Sequence, residues 1–141
     1  TPDPVDPLAE LTAYVATNLA RVRAMRPLLM HSMSELDERP DAAEFACRGR
    51  HHVHDTISAY IRILQNRGMA AADVDVDVAA VMLAATIMSD AMARHFIPEV
   101  YPPLDEAAER YVRGFLRAIG AGPAAAPAPI EPSVSSHSTS R

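Results

Sequence analysis

Residues 78–88 read VAAVMLAATIM, eleven positions with no charge and one hydroxyl, Thr86. Over the longer stretch Val76–Pro98, a spacing of 3.6 residues per turn sorts the apolar side chains into three stripes. Val78, Val81, Ala85, Met88, Met92 and Phe96 form a bulky one, and Ala80, Leu83, Ala84, Ile87 and Ala91 a second. Ala79, Met82, Thr86, Ser89 and Ala93 form a third, mostly small. A helix that is apolar all round needs cover all round. Eleven residues are too few for a bilayer, which takes ~20, so the stretch predicts a core helix of a folded domain. The rest of the chain offers only three or four further helices, and part of the cover is expected from a second copy.

Outward from this helix the chain reads as helix after helix. Residues 1–6 (TPDPVD) form a linker or cut end, and Thr1 in place of Met leads to the expectation that more chain precedes it. Asp6-Pro7 has the form of a helix cap followed by proline at the first helical position. Leu8, Leu11, Val15, Leu19 and Val22 then recur at three and four residues, predicting a helix to about Ala24. Pro27 should break it and open a short second helix, which ends before Arg39-Pro40. Asp41 should cap a third helix running to Arg67, with Gly68 as its stop. Asp73, Asp75 and Asp77 suit a loop that caps the core helix, because a helix N-terminus favours negative charge. After IPEVYPPL, whose prolines force an extended turn, Asp105 and Glu106 begin a last helix. Its seam is Ala108, Val112, Phe115 and Ile119, and it ends at Gly120 and Gly122. The reading is an all-α domain over residues 7–120, followed by a disordered Pro/Ala/Ser-rich tail at 121–141.

Composition narrows the function. With 49% of its 141 residues apolar, the chain can bury a substantial core as one domain. A net charge of −5 argues against nucleic-acid binding by this chain alone, since phosphate contacts need a basic face. Its single cysteine, Cys47, excludes an internal disulfide and fits a reducing, cytoplasmic setting. No signal peptide or membrane span is read.

The ordered set of RILQNRG, the aspartate-rich DVDVDVAA, MLAATIMSDAMARHFIP and YVRGFLRAIG resembles the C-terminal half of TetR-type transcriptional regulators, over roughly residues 7–120. The resemblance implies a five-helix effector-binding and dimerisation domain whose last two helices meet their mates in a four-helix bundle. It also implies a preceding helix-turn-helix domain, absent from this sequence, through which alone DNA would be bound.

On this reading a small apolar effector occupies a cavity lined by Val15, Asn18, Met33, Ile57, Tyr60, Met88 and Met92, with Asn18 and the Tyr60 hydroxyl as polar contacts. The adaptable thioethers of Met25, Met30, Met33, Met82, Met88 and Met92 suit such a site. The homodimer interface is expected at Ala79, Met82, Thr86, Ser89 and Ala93 of the core helix. From the last helix, Ala108, Tyr111, Val112, Phe115 and Ile119 should join it. Neither a cofactor nor a metal is called for, and no catalytic set stands out. A different class of reading remains: Cys47, His51 and His54, at i, i+4 and i+7, could hold a metal or haem in a free-standing bundle. Asp90, the one charge within the core helix, pairs by spacing with Arg94, as a salt bridge at the bundle edge or as a polar anchor for a ligand.

Overall fold

The computed structural model describes residues 3–35 and 40–122. They form four α-helices and one short 3-10 turn, and no strand occurs among the described residues. Helix α1 spans Pro7–Glu35, α2 Pro40–Asn66, α3 Val76–Ala93 and α4 Ala107–Ala118, with the 3-10 turn at Pro98–Val100 in the link between α3 and α4. The expected tail at 121–141 lies outside the described residues beyond Gly122, as does the start of the linker at 1–2.

The start and stop signals work as their chemistry dictates. The Asp6 carboxylate accepts the Ala9 amide at 3.0 Å, while Glu10 reaches back to the amides of Val5 and Asp6. That reciprocal arrangement satisfies donors which the first helical turn leaves free. Asp75 caps α3 by accepting the Val78 amide at 3.1 Å. Gly68 and Gly120 close α2 and α4 at φ of +68° and +71°, in the left-handed region that costs glycine least. Just before Gly120 the carbonyl of Ile119 accepts the Ala71 amide at 2.9 Å, tying the end of α4 to the loop before α3.

Two boundaries differ from the sequence reading. Helix α1 runs unbroken through Pro27, so four α-helices replace the expected five. Proline removes one amide donor, but Pro27 is exposed and the helix continues on either side of it. Asp41 lies in the first turn of α2 instead of preceding it.

Packing follows a simple plan. Helices α3 and α4 both lie along α1, and α2 covers the other side of α3. Tyr60 bonds Glu10, Arg62 pairs with Asp77 and Ile119 meets Ala71. The N-terminal ends of α1 and α3 therefore gather with the C-terminal ends of α2 and α4. Leu11, Val15 and Leu19 of α1, Ile57, Ile61 and Leu64 of α2, Ala80, Leu83 and Ile87 of α3, and Val112, Leu116 and Ile119 of α4 form one core cluster. Past the end of α3, the last turns of α1 leave Leu28, Met30 and Met33 exposed.

Helix α3 is not wrapped on all sides. Of its 18 residues only Ala79, Ala80, Leu83, Ile87, Asp90 and Ala91 are buried. Among the described helices it alone is long and apolar enough to cross a membrane by length and composition, a match that the eleven-residue count had excluded. Within the fold it packs against α1 and α2 and carries a buried carboxylate, the behaviour of a core helix with one open side.

Candidate functional site

One side of α3 lies open to solvent. Val78, Val81 and Met82 stand 54%, 55% and 59% exposed, and Ala85 and Ser89 continue the same face by one and two turns. It belongs mainly to the bulky stripe, which the periodicity alone could not distinguish from the inward one. The stripe of Ala80, Leu83, Ile87 and Ala91 is the side that packs. A contiguous apolar face of this kind marks an interaction surface more often than idle surface.

This placement corrects the expected interface in part. Met82 and Ser89 are exposed, and Thr86, Ala93, Ala108 and Tyr111 are half-buried. Ala79, Val112, Phe115 and Ile119 are buried within their own chain. The α4 seam is spent on α1 and the core cluster, so it cannot also serve a partner. The opposite face of α4 carries the pairs Glu106–Arg110 and Glu109–Arg113. Between seam and charges, Tyr111, Gly114 and Ala118 leave an uncharged flank.

Beside this face a cleft of about 400 Å³ opens between α3, the link and α4. Ala85, Thr86 and Ser89 line it from α3, Val100, Tyr101 and Pro102 from the link, and Tyr111 from α4. The Ser89 and Tyr101 hydroxyls are 2.8 Å apart, and Thr86 donates to the Met82 carbonyl at 2.9 Å.

Behind the cleft lies the one buried ion cluster among the described residues. Asp90 is fully buried. Its Oδ1 accepts from Arg23 Nη2 at 2.7 Å and Arg94 Nε at 2.8 Å, and its Oδ2 from Arg94 Nη2 and the Tyr111 hydroxyl, each at 2.5 Å. Burial alone would raise this carboxyl's pKa, but the hydrogen bonds from Arg94, Tyr111 and Arg23 outweigh it and hold the group at about 2. Burial and the bond to Asp90 push the Tyr111 phenol above its ordinary value. Arg94 also donates to the Pro102 carbonyl at 2.6 Å and lies 5.4 Å from the centre of the Tyr101 ring. One carboxylate thus ties α1, α3, the link and α4 together. The Asp90–Arg94 pair expected at the bundle edge forms, but at a buried crossing, and every strong acceptor position of Asp90 is taken.

The expected effector cavity does not assemble. Tyr60 bonds Glu10 at 2.6 Å, near the start of α1, whereas Met33 lies near its other end, about 35 Å along the helix. No cavity of a few hundred cubic ångströms spans both. Ile57 and Tyr60 line a separate crevice of about 190 Å³ with Leu11, Tyr14 and Thr56. Val15 and Asn18 are packed in the core; Asn18 donates to the Tyr14 carbonyl and accepts from Arg21. Met88 and Met92 are half-buried and Met33 is exposed, so the thioethers do not converge.

Cys47 and His51 are exposed on α2, and His54 meets Asp55 at 3.3 Å. Among the described residues, no three His, Cys, Asp or Glu side chains gather as a metal would require. Arg23, Val100, Tyr101 and Pro102 escaped the sequence reading. One signal for Arg23 was available: it continues the apolar stripe Leu11–Val15–Leu19 by one more turn, so its charge needs a buried partner, and Asp90 is the lone charge inside α3. No family model, curated protein or solved structure matches the chain.

Proposed function

We propose that this chain is the regulatory half of a TetR-type transcriptional regulator, a helical domain that pairs with a second copy and responds to a small apolar molecule. The observation that carries the reading is the open apolar face of α3. Its central positions Val78, Val81, Met82 and Ala85 carry no charge, while the outward face of α4 is laced with ion pairs. Placing α3 against α3 of a second copy removes the exposed valines and methionine from water; each is already nearly half covered, so each contributes roughly half of the ~1.5–3 kcal/mol that full burial of an exposed side chain gives. The uncharged flank of α4 at Tyr111, Gly114 and Ala118 widens that contact, so two helices of each chain meet across a two-fold axis. In this pairing α4 contributes its flank, with its seam left in the core. An effector acts only by its unequal affinity for two arrangements of this pair.

The reading requires a DNA-binding segment encoded before Thr1. The test is a mobility-shift titration on operator-length duplexes, with the chain alone and with its upstream segment included. Duplex affinity with the longer protein only, weakened by apolar compounds, is the expected result. Equal affinity for the two proteins, or none for either, overturns it.

A further inference from the structure

We propose that the cleft between α3 and the proline-rich link is the small-molecule site, and that its ligand is a neutral, mainly aromatic compound carrying one hydrogen-bond acceptor. This rests on the regulatory reading and gives it a different site from the cavity expected on α1 and α2.

Size is the first argument. At about 400 Å³ the cleft has room for a small bicyclic molecule, ~300–1,000 Å³ being usual for such sites, and it is broadly open to solvent on one side. Rigidity is the second. Proline at 98, 102 and 103 restricts the link, and Arg94 pins it from within by the Pro102 carbonyl and the Tyr101 ring. A wall held before binding loses little freedom on binding. Chemistry is the third. Ala85, Val100 and Pro102 offer aliphatic surface, and Tyr101 and Tyr111 offer ring surface. No charged side chain lines the cleft, and the Tyr111 hydroxyl is committed to Asp90. Of the two hydroxyls of Ser89 and Tyr101, one donates to the other. The second keeps its proton free to donate to a ligand oxygen.

Position supplies the consequence. The cleft mouth adjoins the Ala85–Ser89 turn of the open α3 face, so pairing through that face brings a second copy up to the edge of the cleft. Tyr111 lines the cleft and bonds Asp90, which bonds Arg23 of α1. A ligand that shifts Tyr111 therefore moves the partner of a buried ion pair on another helix, a discrete route from the cleft to α1.

The test uses 2-naphthol, a neutral bicyclic aromatic alcohol, titrated calorimetrically into the full chain and three variants. Saturable binding at one per chain is expected. Val100→Glu, at an exposed link position, should weaken it at least tenfold without lowering the melting temperature. Thr56→Glu, in the α1–α2 crevice, should leave it within twofold. Naphthol should slow amide exchange around Arg23, and Tyr111→Phe, which loses the bond to Asp90, should abolish that slowing. No saturable binding, an unaffected Val100→Glu, or loss only in Thr56→Glu overturns the proposal. Sedimentation of the same samples separates the two layers: a dimer that does not take naphthol defeats this inference alone, and a monomer defeats the regulatory reading.

Discussion

Replacing Asp90 by Asn removes one charge from the centre of the fold and little volume, so it isolates the electrostatic contribution of the cluster. The depression of the carboxyl from 3.8 to about 2 corresponds to stability on the order of a few kcal/mol at neutral pH. Deletion also leaves Arg23 and Arg94, with side chains 27% and 15% exposed, facing each other with no counter-charge. Uncompensated buried charge costs ~3–5 kcal/mol. Partial solvation of the two guanidiniums places this case near ~3 kcal/mol. For a domain of this size that loss lowers the melting temperature by about 10–15 °C. The assay is thermal unfolding by circular dichroism at matched protein concentration, because self-association shifts the midpoint by mass action. Sign and window follow from the same pKa. A carboxyl depressed in the folded state contributes fully above pH ~4 and loses its contribution as pH falls towards 2. The wild-type advantage over Asp90→Asn should therefore shrink across that interval and stay constant from pH 5 to 8. A variant melting within 3 °C of wild type at pH 7 would refute the argument that this cluster holds the four segments together.

Two further substitutions test the backbone reading. Pro27→Ala restores an amide donor inside a continuous helix and should stabilise the chain by ~1–3 kcal/mol in the same melts; a loss of stability would mean that α1 depends on the fixed φ of proline at this position. Gly68→Ala and Gly120→Ala both force alanine into positive φ, at ~1 kcal/mol each. Only at Gly120 would the new methyl also meet Ala71 Cβ, at 3.0 Å, so Gly120→Ala should melt several degrees below Gly68→Ala. Equal melting of the two would show that the α4–loop contact is looser than drawn.

Local signals were well legible in the sequence because they act over one turn of chain. Asp6-Pro7, Gly68, Asp75 and Gly120 each stand at the helix end they were read to mark. Pro27 misled because proline's cost is local and a long helix packed along two others can absorb it. The larger errors concern which side faces where. Periodicity shows that α3 has several apolar stripes but cannot rank them. The small residues Ala80 and Ala91 turned out to allow close packing inside, leaving Val78, Val81 and Met82 outside. Residue type groups the methionines into one cavity with Tyr60, but Tyr60 of α2 meets the start of α1 and Met33 lies near the far end of α1. Nothing local in the sequence announces that Arg23 lies opposite Asp90, 67 residues away. That pairing is visible only as two charges, each in an otherwise apolar stripe.

Self-association through α3 is the central claim, and molar mass in solution tests it most directly. Sedimentation equilibrium on the wild type should give twice the 15.2 kDa chain mass. Met82→Arg places a long charged side chain in the middle of the open face, at a site already 59% exposed in the single chain. It should therefore fold with unchanged helical content and sediment at the single-chain mass. A wild type that remains at 15.2 kDa at every concentration, or that floats with neutral lipid vesicles instead of pairing, would contradict the account.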